Sequence, residues 1–260
     1  MADSSDGYEL NEVSWWSNWA ETKWLDKNAY LLLSRDFSEY FFNRGGFLTV
    51  TKKAEPAVEL MEAEFAKRNL APHIFIQSDS LGPSLLQGLA KKGYRIADQM
   101  SVMEAENPSF KVNDGLSIEM GIDDAVDRWA KVYLQSFYGE NSLLKPVTDI
   151  LNRVSKNKDA TLILASKDGR PVGALALFRT PGLMGTYCVG TVPGMRRAHV
   201  ASSMLDFSTK LAKNEGRRLI LQTILSDSVE PLYVRVGFRR VYLKELFAKN
   251  AQRTLKARES

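Results

Sequence analysis

Hydrophobic positions in the second half of the chain follow first a strand pattern and then a helix pattern. β-branched and aromatic residues run from Tyr187 to Val192 and predict a strand, which Pro193 ends. Apolar residues then recur at helical spacing, at Val200, Met204, Phe207 and Leu211. The segment from Gly194 to His199 is therefore predicted to be a turn that leads from a strand directly into a helix.

The same patterns predict an element order from residue 116 onward of β, α, α, β, β, β, α, β, α, β. An Asp cap in Ile122-Asp-Asp-Ala125 is expected to start the first of these helices. Gly237 is expected to cap the last one. The predicted strands cover residues 116–120, 161–166, 171–178, 187–192, 219–224 and 239–247, and the predicted helices 125–137, 142–155, 200–211 and 229–236.

The first half also alternates between helices and strands. Four of the five tryptophans lie within a predicted helix from Ser14 to Asn28, and their spacing favours a buried face. Turn signals between Glu106 and Gly115 predict a linker, which divides the chain into domains 1–112 and 113–260. Further elements are predicted as strands at 30–33, 47–51, 74–77 and 94–105 and as helices at 57–69 and 82–92.

The two halves echo each other. Gln77 precedes Gly93 by 16 residues, Gln222 precedes Gly237 by 15, and both glycines stand before an aromatic residue. This spacing indicates two copies of one α/β unit. Convergence on a common strand, helix and glycine-cap pattern is the alternative that the sequence leaves open.

Composition narrows the classes of protein. The 260 residues are 44% hydrophobic and 25% charged, as in a globular protein, and the acidic start of the chain is unlike a secretory leader. We expect a cytoplasmic protein without a membrane partner. Cys188 is the single cysteine and there are two histidines, so neither a disulfide within the chain nor a metal site is expected. The net charge of +4 is too small to indicate a nucleic-acid partner.

The predicted turn before the helix at Val200 suits an anion. The first amide groups of a helix have no partner within it, and the helix dipole is positive at that end. A phosphate placed there gains several hydrogen bonds at once, so a pyrophosphate ligand is expected.

Two motifs carry a resemblance to a known family. Thr191-Val-Pro193 leads into Arg196-Arg-Ala-His199-Val-Ala201, and Leu232-Tyr233 is followed by Gly237-Phe238. Together they resemble the GNAT N-acetyltransferase superfamily, with its Arg/Gln-x-x-Gly-x-Gly/Ala turn and its Leu-Tyr-x-x-x-Gly-Phe helix end. The resemblance covers about the last 145 residues, and the internal echo extends it to the first half. It implies a mixed α/β acyl-CoA N-acyltransferase fold in tandem with a degenerate GNAT-like N-terminal domain.

The resemblance also implies a reaction and its residues. The enzyme is expected to transfer an acetyl group from acetyl-CoA directly to a primary amine of a small molecule or peptide, without a metal. Tyr233 corresponds to the family's tyrosine that protonates the departing thiolate. Backbone groups would bind the pantetheine arm and the pyrophosphate, and Ser226 stands where the family often has an asparagine that touches the cofactor. The implied cofactor-binding residues are Val189, Gly190, Thr191, Arg196, Arg197, Ala198, His199, Val200, Ala201, Ser202 and Ser226.

His199 departs from the family pattern, because it stands where the first glycine of the turn is usual. The glycine lets the backbone approach the pyrophosphate closely. A histidine whose side chain points outward would preserve the contacts of the backbone amides, whereas a clash of its Cβ would weaken them. Its position faces phosphate, which argues against a role as catalytic base.

Other assignments stay open or negative at this stage. Glu119, Glu140, Asp227 or a chain of water molecules could act as general base. Cys188 is interpreted as a small core residue, because no histidine is suitably placed to activate it. The region from Thr51 to Pro56, which precedes the helix of the first copy, lacks the glycines, so that copy is not expected to bind CoA.

Three functions are compatible with these features. The first is the N-acetyltransferase. A second is a non-catalytic CoA-binding or protein-interaction module derived from the same fold. It is suggested by His199 and Ser226, which depart from the family pattern. Transfer from aminoacyl-tRNA, the third, is disfavoured because such enzymes do not need the CoA turn. A homodimer is compatible with all of them.

Overall fold

A computed structural model describes residues 5–121, 126–140 and 142–249 of the chain. Contacts divide it into two compact units that are not contiguous in sequence. The first unit takes the chain up to Met103, then Thr223–Pro231 and the segment from Arg240, whereas the second takes Glu104–Gln222 and Leu232–Arg239. The predicted domains 1–112 and 113–260 are a different division, into two successive copies of one α/β unit, and that division stays a prediction.

The second unit contains a five-stranded run of sheet in the order β10-β9-β8-β7-β6. Neighbouring strands are antiparallel, except that β9 and β10 run parallel. The strands are β6 Leu116–Met120, β7 Ala160–Lys167, β8 Arg170–Thr180, β9 Leu183–Thr191 and β10 Arg218–Ile224.

Helices cover both faces of this run. The indole N–H of Trp129 in α4 donates to the carbonyl of Leu175 in β8 at 3.2 Å. On the other face, a Cβ added at Gly173 in β8 would lie 2.5 Å from Val200 Cγ1 at the start of α6, so that helix lies directly on the strand. The helices of this half of the chain are α4 Val126–Phe137, α5 Leu144–Val154, α6 Val200–Asn214 and α7 Glu230–Arg235.

The first unit is built on a second run of sheet, in the order β1-β2-β3-β4-β11-β5. The last strand among the described residues, β11, therefore lies between two strands of the first half and pairs antiparallel with β4. The elements are α1 Asp6–Trp16, β1 Glu21–Trp24, β2 Ala29–Leu33, β3 Arg44–Phe47, α2 Ala54–Lys67, β4 His73–Gln77, α3 Pro83–Lys91, β5 Tyr94–Ala105 and β11 Phe238–Lys249.

Strand β2 shows how the core of the first unit is divided between two faces. Leu31 clusters with Met61 and Phe65 of α2, whereas Tyr30 and Leu32 belong to a separate cluster around Val13 of α1. Successive side chains of a strand point to opposite faces, so α1 and α2 cover opposite faces of this sheet.

A buried ionic network fixes α1 to the sheet of the first unit. Glu12 accepts hydrogen bonds from Arg44 in β3, at 2.5 Å, and from Lys244 in β11. Glu9 accepts from Lys244 at 3.2 Å and from the hydroxyl of Tyr242 at 2.8 Å. The four charged side chains are each 1% exposed, so both acids and both bases are buried as a paired group.

The predicted element order from residue 116 onward is confirmed. The predicted helix from Ser14 to Asn28 is wrong: the helix ends at Trp16, and Trp24 lies in β1 with 44% of its surface exposed. Trp15 and Trp19 are buried, as the core interpretation required. The predicted Asp cap at 122–125 lies outside the described residues.

Candidate functional site

Strand β9 pairs with β10 over only part of its length. The parallel ladder runs from Leu183 opposite Arg218 to Thr186 opposite Leu221, and β9 continues to Thr191. On its other edge β9 stays paired with β8 as far as Thr191 opposite Gly173. From Tyr187 onward, the backbone groups of the β10-facing edge are thus outside this ladder, and the two strands form a fork.

A β-bulge lies at the fork. Ala176 opposes Tyr187 and Ala174 opposes Gly190, so Leu175 of β8 faces two residues of β9, Cys188 and Val189. Cys188 takes a left-handed backbone conformation, with φ 53°. Because a bulge bends its strand and interrupts pairing, it redirects backbone groups at this point. The predicted pantetheine-binding residues Val189 to Thr191 lie in the bulge and just after it.

Helix α4 closes directly over Gly190. A Cβ added at Gly190 would lie 2.8 Å from Ser136 Cβ and 3.1 Å from Phe137 Cε2, so only glycine allows this approach. The guanidinium of Arg196 donates to the carbonyl of Ser136 at 3.2 Å. Arg196 therefore ties the predicted phosphate turn to the end of α4.

The predicted turn has the backbone shape that its glycine position requires. After a short 3₁₀ turn at Pro193–Met195, Arg197 has φ 66° and His199 has φ 57°. Histidine is among the non-glycine residues that tolerate this left-handed region. His199 is thus the residue before α6 in a conformation that usually selects glycine, without a change in the course of the turn.

The start of α6 presents amide groups. The first backbone bond of the helix runs from Ser203 N–H to the carbonyl of His199, at 3.0 Å, so the amides of Val200, Ala201 and Ser202 precede the helical ladder. The first turn contains no acidic residue. This 15-residue helix therefore directs its positive dipole end and three amide groups at the turn, which favours an anion.

Asn113, which is distant in sequence, forms hydrogen bonds that fix this turn. Its side-chain amide donates to the carbonyl of Ala198 at 2.9 Å, and its backbone N–H donates to the hydroxyl of Ser203 at 2.9 Å. Ser203 in turn donates to the carbonyl of His199 at 2.9 Å. The sequence placed Asn113 in a linker on its Asn-Asp-Gly turn signal. The turn signal is correct locally, since Gly115 N–H donates to the side-chain oxygen of Asn113 at 3.0 Å. It does not predict the hydrogen bond from Asn113 to Ala198.

Tyr233, the predicted acid, lies in α7 and is half-buried. Its ring packs edge-on against Phe238, with the ring centroids 5.9 Å apart. Gly237, which follows the helix with φ 93°, leaves no room for a side chain, because a Cβ would lie 2.2 Å from the carbonyl oxygen of Asn107. The Tyr-to-Gly-Phe motif therefore fixes the end of α7 within the second unit.

The remaining predicted residues have separate surroundings. Ser226 belongs to the first unit, where its hydroxyl donates to Asp98 at 2.5 Å. Glu119 forms an exposed ion pair with Arg128 at 3.3 Å, and Glu140 accepts from the hydroxyl of Ser142 at 2.9 Å. Asp227 is exposed. The roles assigned to them stay predictions.

Cys188 lies in the bulge, where burial raises the pKa of its thiol well above the usual range. A thiol held in its neutral form is a poor nucleophile. The side chain is half-buried, and the interpretation of Cys188 as a small core residue stays a prediction. In the described residues, no group of three or more metal-ligating side chains is found, and no helix there is both long and apolar enough to cross a membrane.

Comparison with known proteins gives the fold. No protein-family model and no curated protein match the chain. Similar solved structures include a GCN5-related N-acetyltransferase from Kribbella flavida, with a TM-score of 0.70 and 14% identity over 96% of this chain and 97% of that one. The chain has the GNAT fold.

Two further structures with the GNAT fold agree. A GCN5-related N-acetyltransferase from Sphaerobacter thermophilus has a TM-score of 0.65 and 18% identity, covering 88% of this chain and 82% of its own. A tandem GNAT protein from the clavulanic acid biosynthesis pathway has a TM-score of 0.57 and 12% identity, covering 85% of this chain and 77% of its own. The predicted GNAT fold in tandem form is thereby confirmed. At these identities the likeness concerns the fold alone.

Proposed function

We propose that this chain is an N-acetyltransferase that transfers the acetyl group of acetyl-CoA directly to a primary amine. One observation carries the proposal: the strand that leaves its ladder at the fork leads straight into a turn that presents the free amides of α6. A strand that continues past its ladder and is followed by an anion site suits a ligand with an extended amide arm and a pyrophosphate.

The residues of the turn fit a pyrophosphate. Val200, Ala201 and Ser202 supply backbone donors, and the exposed Arg197 adds a positive charge. His199 does not oppose this fit, because its backbone already has the left-handed conformation for which glycine is usually needed. The contacts come from the main chain, so the identity of the side chain matters less than the course of the backbone.

The thioester supplies an activated acyl group, and the chain supplies binding and proton transfer. In the proposal, β9 from Val189 to Thr191 binds the pantetheine arm through backbone groups, while Tyr233 donates a proton to the departing thiolate. Bringing amine and thioester together contributes a large part of the rate. A general base among Glu119, Glu140 and Asp227, or water, would accept the proton of the amine, and Ser226 would contact the CoA arm.

The first copy is proposed to lack a CoA site. At the start of α2, the N–H of Lys53 is bonded to the hydroxyl of Thr51, and the N–H of Ala54 to the carbonyl of Thr51. Pro56 has no N–H to offer. Fewer free donors therefore stand at this helix end than at α6. We propose further that the first copy shapes the acceptor site. The acceptor is proposed to be an amine-bearing small molecule or peptide, and the protein is proposed to be cytoplasmic.

Calorimetric titration of the full chain with acetyl-CoA and with CoA tests the proposal. We expect saturable binding of both, and release of free thiol from acetyl-CoA when a suitable amine is present. Absence of heat at millimolar ligand would overturn the proposal. Binding without thiol release over a broad panel of amines, peptides and polyamines would instead favour a non-catalytic CoA-binding module.

A further inference from the structure

Gln222 is the first residue of β10 beyond the ladder with β9. Its side-chain nitrogen Nε2 is buried and has no hydrogen-bond partner within the described part of the chain. At the fork, this amide donor is therefore withdrawn from solvent and not used by any of the described residues.

A donor in that state lowers the stability of the fold. Buried polar groups in native proteins are nearly always paired, because an unpaired one loses its bonds to water without replacement. A leucine of similar size would avoid that loss. Functional sites are among the places where proteins keep such groups, so the position of Gln222 at the fork decides how its unpaired amide is interpreted.

The register of the sheet shows on which face Gln222 lies. Gly173 of β8 faces α6, and by alternation so do Leu177 and its partner Thr186. Thr186 pairs with Leu221, which shares that face. Gln222, the next residue, therefore points to the opposite face, which α4 covers.

The bulge of β9 at the fork is flanked by residues that lie on this same face. Tyr187 pairs with Ala176 and Gly190 with Ala174, so both face α4, and the bulge at Cys188 and Val189 lies between them. Above Gly190 are Ser136 and Phe137, and Phe137 is 39% exposed. Gln222 is thus on the side of the sheet where β9 is bent and continues past its ladder with β10, and where the partly exposed ring of Phe137 lies.

We propose that Gln222 is a catalytic residue whose Nε2 donates a hydrogen bond to the carbonyl oxygen of the acyl thioester. This rests on the proposed function. A neutral amide polarises the carbonyl, and its hydrogen bond strengthens as negative charge develops on that oxygen when the amine attacks. The amide itself neither gains nor loses a proton, so it complements Tyr233, which acts on the sulfur.

The test uses Gln222→Leu in the full chain, because leucine preserves volume and removes the amide. Acetyl-CoA and CoA, which lacks the acyl oxygen, are each titrated into wild type and variant. The infrared band of acetyl-CoA labelled with ¹³C at the carbonyl is recorded in both complexes. Thr186→Val is the matched control, since its hydroxyl is also buried without a partner, in the same ladder but on the opposite face.

We expect Gln222→Leu to bind CoA like wild type, to bind acetyl-CoA about three- to tenfold more weakly, and to shift the carbonyl band to higher wavenumber. The unfolding temperature of Gln222→Leu should equal or exceed that of wild type. Thr186→Val should have the same effect on the unfolding temperature, but it should leave the affinities for CoA and acetyl-CoA and the carbonyl band unchanged. Unchanged affinity and band in Gln222→Leu, or a lowered unfolding temperature, would overturn the role of Gln222 alone. Failure of wild type to bind either ligand would overturn the proposed function and the Gln222 role together.

Discussion

The side-chain amide of Asn113 donates a hydrogen bond to the carbonyl of Ala198, 2.9 Å away and between the two left-handed residues of the turn. In a trans peptide the carbonyl and the following N–H point in opposite directions. With the Ala198 carbonyl held toward Asn113, the N–H of His199 points away from Asn113, and the orientation of this peptide is fixed directly before α6. Asn113 is thus a positioning residue for the proposed phosphate site.

Replacement of this residue tests that role. Asn113→Ser keeps an oxygen for the N–H of Gly115 but loses the amide donor, so we expect CoA and acetyl-CoA to bind about five- to tenfold more weakly by titration, and by the same factor. Asn157→Ser is the control, because Asn157 forms the same local turn with the N–H of Asp159 at 3.0 Å. Equal affinities in wild type and Asn113→Ser would contradict the role.

Substitutions at His199 separate its side chain from its backbone conformation. His199→Gly and His199→Asn should keep affinity for CoA within about threefold of wild type, because both residues adopt the left-handed region readily. His199→Val should weaken binding by more than about tenfold, since a β-branched residue is strained there. Loss of binding in the glycine variant as large as in the valine variant would mean that the imidazole itself contacts the ligand.

Tyr233→Phe tests the proposed acid. Thiol release from acetyl-CoA, with whichever amine the wild type accepts, should slow by on the order of 10²-fold while the affinity for CoA stays unchanged. Tyr94→Phe serves as the control, because it also removes a tyrosine hydroxyl, one that is buried in the first unit. A Tyr233→Phe enzyme with the wild-type rate would remove the residue from the mechanism.

The buried network of the first unit should respond strongly to loss of one partner. Lys244→Met leaves Glu9 and Glu12 buried with one cation fewer, and we expect the free energy of unfolding to fall by about 3–5 kcal/mol in urea titrations. Lys145→Met breaks an exposed pair with Asp149 and should leave the midpoint unchanged. Similar midpoints for the two variants would show that the network relaxes without cost.

Glu9 should make stability depend on pH. Burial raises its pKa from 4.5 to about 7 in the folded protein, more than the attraction of Lys244 lowers it. Folding therefore takes up a proton between these values, and the stabilising contribution, present in full below about pH 4.5, is lost as the pH rises through about 7. The shift corresponds to at most about 3 kcal/mol.

Urea unfolding of wild type and Glu9→Gln between pH 5 and 8 measures this contribution. The wild type should lose stability over that interval relative to the variant, whose neutral amide cannot ionise. Parallel curves for the two proteins would assign the pH dependence to other groups.

The sequence was sufficient where local pattern and burial agree. From residue 116 onward, strands carry continuous apolar runs and helices carry apolar stripes, and the element order follows. Helix α1 was misplaced because its buried face contains Glu9, Asn11 and Glu12, which a search for apolar spacing assigns to the surface. Their partners, Arg44 and Lys244, are distant in sequence, so burial of these acids is visible only in the folded chain.

The residues of the proposed site also differ in whether sequence alone could suggest them. The turn from Arg196 to Ala201 was proposed from the sequence because the chemistry assigned to it would reside in consecutive backbone groups. Asn113 and Gln222 were not, since each depends on a relationship across strands: one on a carbonyl 85 residues further along, the other on where a ladder ends. Neither relationship leaves a periodic or compositional trace.

The position of β11 has a consequence for how the chain is made. This strand leaves the ribosome after β4 and β5, between which it lies in the sheet, and its Lys244 completes the charge pairing of Glu9 and Glu12 in α1. The first unit therefore cannot complete its sheet until β11 has been synthesised. Before then its sheet has an open strand edge, and Glu9 and Glu12 lack the cation of Lys244. Folding of α1 thus waits for a lysine that lies 235 residues beyond Glu9, and a chain that stops before residue 240 would lack the strand that completes the sheet of the first unit.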